Sequence, residues 1–295
     1  MEIRTDLALE ARELRRGGEL PGVRSHTYEK AGFRVTDVTV TDERGARALG
    51  KPVGQYVTVE LEKLLRREDD AFRDGAEAVG DIVRAMIAPV GAESVLVVGL
   101  GNLLMTPDAL GPLVLRSTMV TRHLREKYPR QFGGFKSVSA LEPGVLGTTG
   151  MESATVIQAV AEKTKPQLIV VIDALASRRI ARVCRTVQLS DTGITPGSGV
   201  GNARAAISRE TLGIPVVALG VPTVVDAATL AADAAEAAGA GSLDRDALRR
   251  SCGGMIVTPR DIDANVRNIA KLIGYGLNLA LHDGLTVADI DMFLE

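Results

Sequence analysis

A chain of 295 residues, 45% of them hydrophobic and with mean hydropathy +0.12, can bury a substantial core and has the make-up of an ordinary soluble globular protein. Its 35 basic residues against 37 acidic ones leave a formal charge of -2, which gives no basic footprint for a phosphate backbone and excludes direct nucleic-acid binding as an expectation. No stretch is long enough to span a membrane, and Cys184 and Cys252, with no CxxC pairing and no apolar amino-terminal signal, fit a reducing cytoplasm without a disulfide framework or zinc site.

In chain order, MEIRTDLALEARELRRGG reads as a mobile polar arm leading into a short helix that Gly17 and Gly18 end. Phe33 to Val40 and Gln55 to Leu61 alternate apolar with polar residues, with the polar TDERGARALGKP between them. That pattern predicts an antiparallel β pair over 33–62, accessory to the main sheet. Asp69 to Ala88 carries Phe72, Ala76, Val79, Val83 and Ile87 at helical spacing until Pro89 stops it. The helix delivers the chain to Val95–Val98, an apolar run of strand length.

Beyond Pro112, Leu113 to Tyr128 reads as a helix, LEPGVLGTTG at 141–150 as a loop, and Met151 to Glu162 as a helix again. Gln167 to Ile172 is a second apolar strand that ends on Asp173, and Val183 to Leu189 is a third. SDTGITPGSGVGNAR is a long glycine-rich loop. Pro215 to Leu219 is a fourth strand, Asp226 to Ala238 an alanine-rich helix, GAGSLDRDALRR a polar linker, and Asp261 to Leu281 a helix. Strands alternating with helices predict a single α/β domain over 1–295, whose core over 91–295 holds a mostly parallel, doubly wound sheet.

The most informative stretch is Ser94 to Pro112, SVLVVGLGNLLMTPDALGP. Gly99, Gly101 and Asn102 end a buried strand in a tight turn. Pro107 and Pro112 bracket Asp108, so an acid sits on a stiff connection at the carboxyl end of a strand, where open α/β sheets place ligands. A dinucleotide fingerprint begins similarly but fails, because Leu104 stands where the last glycine belongs. Asp173 also stands at a strand end, so a parallel sheet brings both acids to one edge. Two carboxylates sharing a site cannot both ionise easily, so one keeps its proton as an acid while the other polarises water as a base. On pattern alone, two unrelated helix-capping acids in a non-catalytic binding protein remain an equal alternative.

Other catalytic patterns are missing. His26, His123 and His282 stand in no H-E-x-x-H arrangement and read as surface or helix residues, and no serine sits in G-x-S-x-G. Asp191-Thr192-Gly193 reads as a turn. Gly197, Gly199 and Gly201 lack the Lys-Ser/Thr of a P-loop and read as a substrate-lining or oligomer-contact loop.

RTDLALEARE, VVGLGNLLMTPDALGP, EPGVLGTTG, VIDALASR, SDTGITPGSGVGN, LGIPVVALGVPTVVDA and MIVTPRDID follow one another along the chain. With these segments it closely resembles, nearly end to end, the germination protease family, the spore endopeptidases of endospore-forming bacteria that degrade small acid-soluble spore proteins at germination. The first and fourth strand-end motifs also resemble those of the hydrogenase maturation proteases, whose three-layer fold, a mostly parallel twisted sheet flanked by helices, the family shares.

The resemblance implies a homotetrameric, atypical aspartic-type endopeptidase made as a zymogen in the forespore cytoplasm and held in the spore core. The family's two essential aspartates fall on Asp108 and Asp173. The family cuts at a Thr-acid-hydrophobic-Ala-x-Glu pattern just after the acid. Thr5-Asp6-Leu7-Ala8-Leu9-Glu10 fits that pattern, so a cut between Asp6 and Leu7 is expected, with 1–6 as the pro-segment; family members usually carry a longer one. No cofactor is expected. The hydrogenase maturation relatives hold nickel with two carboxylates and a histidine, and no histidine lies between His123 and His282 to complete that set. A nickel-dependent maturation protease is the alternative reading.

Overall fold

The computed structural model describes residues 5–13, 20–201, 203–239 and 244–294. The strands are β1 (Val23–Lys30), β2 (Phe33–Val40), β3 (Gly54–Glu60), β4 (Ser94–Gly99), β5 (Ser137–Leu141), β6 (Leu168–Ser177), β7 (Thr186–Ser190), β8 (Val216–Asp226) and the short β9 (Ile256–Val257). They form one sheet in the order β1-β2-β3-β7-β8-β6-β4-β5, with β9 also on β8. The pairs β8/β6, β6/β4 and β4/β5 are parallel. From β8 through β7, β3 and β2 to β1 every pair is antiparallel.

Alternation along the strands builds three layers. Val95 and Val97 of β4 face one cluster together with Val79 and Val83 of the Ala71–Ile87 helix and Leu272 and Ile273 of the Ile262–Leu281 helix. Leu96 and Val98 face the other side and meet Ile157 and Ala161 of the Ser153–Thr164 helix. The first side is doubly covered. Gly80 and Gly276 allow its two helices to touch, since a Cβ on Gly80 would lie 2.9 Å from the Gly276 carbonyl.

The α/β class, the flanking helices and the parallel core agree with expectation, and several elements differ in detail. The antiparallel pair β2/β3 is present, and β1 adds a third strand that the sequence reading passed over. β7 runs antiparallel to β8. β5, the one-turn helix Leu146–Thr149 inside the predicted loop, and the helices Arg245–Cys252 and Val287–Leu294 are further additions. Residues 240–243 of the predicted linker lie outside the described residues, as do Gly17 and Gly18.

The predicted Leu113–Tyr128 helix is two helices, Leu110–Leu115 and Arg122–Lys127. The cause is a distant side chain. Asn278, fully buried in the Ile262–Leu281 helix, accepts from Met119 N–H at 2.8 Å and donates to the Ser117 carbonyl at 2.9 Å, pinning the break. His282, expected at the surface or on a helix, caps that same helix but is only 2% exposed. Its ring meets Phe135 edge-on, and neither ring nitrogen has a hydrogen-bond partner among the described residues. Burial and the nearby charge of Lys136 lower its pKa to about 4.

Candidate active site

β4 stops at Gly99, opposite Ile172 of β6, and Leu100 N–H closes the last bond to the Ile172 carbonyl. β6 was expected to end at Asp173 but runs on to Ser177, because β8 continues beside it. Asp173 is therefore the first residue of β6 that β4 does not flank. By alternation it points to the same side as Ile169 and Val171, and the neighbouring residue on β8 is Gly220, which has no side chain to cover it.

Asp108 reaches this edge from the Thr106–Asp108 turn, which touches both β6 and β8. The turn is held by Asn102 N–H donating to the Asp108 carbonyl at 3.0 Å and by Asp108 N–H donating to the Met105 carbonyl at 2.8 Å. Gly101, with φ 116°, lies so near the Asp108 carbonyl that any Cβ would collide with it.

The charge of Asp108 acts on Asp173. Asp173 is 6% exposed, and its pKa is raised well above the carboxylate range first by burial, then by the charge of Asp108 and then by that of Asp6. One backbone N–H, from Ala174 at 2.9 Å, opposes the shift. Asp108 is half-buried, and desolvation raises its pKa to about 6 against one opposing bond from Asn102. One edge thus holds a carboxyl that keeps its proton and another that gives its proton up near neutrality.

The amino-terminal segment is docked at this edge; among the described residues it is no mobile arm. Leu7 and Ala8 are fully buried, and Ala8–Glu13 is helical. Asp6 N–H donates to the Ala176 carbonyl at 3.0 Å. The Asp6 carboxylate accepts from Ala176 N–H at 2.9 Å and from the Ser198 hydroxyl at 2.6 Å. Glu10, 1% exposed, accepts from Arg178 and Arg179 N–H at 2.6 and 3.0 Å and faces the Arg182 guanidinium at 3.2 Å. In the glycine-rich loop, a Cβ on Gly199 would run into the Asp6 carboxylate.

Beside the docked segment lies a cavity of about 1070 Å³. Gln188, Ser190, Ala218 and Gly220 floor it, Lys51 and Thr192 stand among its walls, and Asp6 closes one end. It opens on the face of the sheet to which Gln188 of β7 and Ala218 and Gly220 of β8 project. The Asp191-Thr192-Gly193 turn forms part of its rim, with the Asp191 carboxylate accepting from Gln55 N–H at 2.8 Å.

The structure thus brings together Asp108, Asp173 and Asp6, with Leu7 buried beside them. Sequence reasoning missed Gln188, Ser198 and Arg182. Gln188 carries no motif. Ser198 lies in a loop noticed only for its glycines, and Arg182 follows a strand whose length was underestimated. Among the described residues, no group of three or more His, Cys, Asp or Glu side chains is disposed to hold a metal ion. His282 feels Lys136 and Asp283, and His26 and His123 are exposed. Among the described residues no helix is long and apolar enough to cross a membrane.

A family model described as germination protease matches residues 3–238. A germination protease of Caldanaerobacter subterraneus subsp. tengcongensis is 45% identical, covering 99% of this chain and 98% of its own length. One of Clostridium tetani is 41% identical over the whole of both chains. Among solved structures, a [NiFe] hydrogenase maturation protease HycI from Thermococcus kodakarensis aligns over 66% of this chain and 98% of its own, at 17% identity and TM-score 0.34.

Proposed function

The chain belongs to the germination protease family and is a peptidase; on that premise we propose that it is an aspartic-type endopeptidase that begins the breakdown of small acid-soluble spore proteins at germination. The observation that carries the mechanism is the split pair at the sheet edge, where Asp173 is raised well above the carboxylate range and Asp108 to about 6. At neutral pH Asp108 is ionised and takes a proton from the attacking water as its oxygen bonds to the carbonyl carbon. Asp173 gives its proton to the leaving nitrogen as the C–N bond breaks. The proton left on Asp108 then passes to Asp173, and the pair is reset.

The docked Thr5-Asp6-Leu7-Ala8-Leu9-Glu10 segment is read as the first substrate, cut between Asp6 and Leu7 and held until then in zymogen form. The forespore and spore core, and a homotetrameric assembly, belong to the same proposal and follow from family resemblance. Incubation with a small acid-soluble spore protein, with and without chelator, tests the activity. Chelator-resistant cleavage, with Leu7 appearing as the new amino terminus, is expected. Chelator-sensitive processing would favour the nickel-dependent alternative, and fully active enzyme that keeps Met1 would overturn the self-processing step.

A further inference from the structure

The carbonyl oxygen of Asp6 is the oxygen that becomes anionic if water attacks the Asp6–Leu7 bond. It accepts two hydrogen bonds, from Lys51 Nζ at 2.9 Å and from Gln188 Nε2 at 3.2 Å. The donors come from different parts of the chain, the turn before β3 and the middle of β7. One is a cation, and both line the same cavity. The other oxygen-bearing end of the Gln188 amide accepts from Ala8 N–H at 2.7 Å, so the side chain is fixed from the far side of the bond in question.

The strand register sets Gln188 against the acids. Gly220 of β8 pairs with Gln188 on one side and with Asp173 on the other. Paired residues project to the same face, so Gln188 and Asp173 flank a position with no side chain, two strand spacings or roughly 10 Å apart. The Leu175 side chain of β6 lies over that position, so the amide donor and the carboxyl stand on either side of an apolar floor. Asp6 lies close enough for its charge to act on Asp173.

We propose that Lys51 and Gln188 are catalytic residues that form the oxyanion-stabilising site of this peptidase, holding the carbonyl oxygen before the scissile bond while Asp108 and Asp173 move the protons. The inference rests on the proposed cut between Asp6 and Leu7. As water bonds to the carbon, the C=O electron pair moves onto oxygen, where a fixed ammonium and a fixed amide N–H meet it. When the pair returns, the C–N bond breaks and nitrogen takes the proton from Asp173. Fixed donors of this kind act chiefly on the transition state, so their loss lowers kcat more than it raises KM.

The test uses the full chain and a synthetic peptide of residues 3–14. Gln188→Leu and Lys51→Met should each lower kcat about a hundredfold, the scale set by removal of one oxyanion donor, with KM changed less than about threefold. Lys51→Arg, which keeps the charge, should recover part of the loss. A second probe is the same peptide with a phosphinate in place of the Asp6–Leu7 amide. It should bind the unaltered chain more tightly than the plain peptide, and Gln188→Leu should abolish the difference. A rise in KM at constant kcat, or a phosphinate preference that survives both substitutions, would overturn the proposal. If the phosphinate preference depends on both residues while no peptide bond is cut under any activating condition, the donor site stands and the proposed activity fails.

Discussion

The two faces of the sheet are built to different ends. On one, two long helices lie side by side over β4, β6 and β8, and the contact is dry. On the other, the Ser153–Thr164 helix packs on the parallel strands, while Gln188 and Ser190 of β7 with Ala218 and Gly220 of β8 floor a cavity of about 1070 Å³. The closed face gains its stability from apolar area and close packing. At the open edge, carboxyls are buried without opposing charge, an arrangement that costs stability and is retained where chemistry needs shifted proton affinities. Stability and reactivity are thus separated by the thickness of one strand.

The sharpest way to break that comparison is at the acids. Asp108→Asn and Asp173→Asn should each lower peptide hydrolysis by about a thousandfold or more, while melting temperature at pH 7 holds for Asp173→Asn, which replaces a neutral carboxyl, and holds or rises for Asp108→Asn, which removes a half-buried charge. Near-normal turnover in either variant would remove the dyad. The closed face should answer in the opposite way. Leu272→Ala, at a fully buried position, should cost about 2 to 5 kcal/mol in denaturant unfolding and leave kcat of the folded fraction unchanged.

Acid separates the two regions next. His282 has its pKa lowered to about 4, so the unfolded chain binds more protons below about 6.5, and stability is lost as pH falls through that window. Asp108, raised to about 6, has the opposite sign: the folded chain binds more protons between its usual 3.8 and about 6, and stability grows as pH falls. His282→Phe should therefore leave the chain more resistant to unfolding at pH 5 than the parent, by roughly 1 to 2 kcal/mol, with little change at pH 8. In the same range kcat/KM should fall as pH drops below about 6, as Asp108 is protonated.

The smallest effect is expected on the cavity floor. Ser190→Ala removes a hydroxyl that donates to the Gly193 carbonyl at 3.3 Å and should change stability by less than about 1 kcal/mol. A peptide-substrate KM that nevertheless moves would tie the cavity to substrate binding.

The parts legible in the sequence were those with local causes. The helices Ala71–Ile87 and Ile262–Leu281 follow from apolar spacing, and Asp108 from a strand, a glycine turn and two prolines. Asp173 was found, but its strand was cut short, because the length of β6 is decided by β8 beside it rather than by its own residues. The break before Arg122 depends on Asn278, more than 150 positions away. Docking of the arm was equally hidden: TDLALE is polar enough to read as solvated, and its carboxylates, Glu10 buried and Asp6 half-buried, are held only because Arg178, Arg179 and Ser198 await them.

The pairing of β3 with β7 joins residues about 130 positions apart, and Asp6 meets Ser198 across a still longer separation. During synthesis β1, β2 and β3 can form a local meander as soon as they are made, because their contacts lie close in the chain. They cannot join the rest until β7 has been translated, and β7 in turn needs β8. The docked segment around Asp6 is therefore among the last parts to find its place, although it is made before every strand. A nascent chain keeps the proposed Asp6–Leu7 cutting site away from Asp108 and Asp173 until β7 and β8 have been made, so delay is written into the order of the strands.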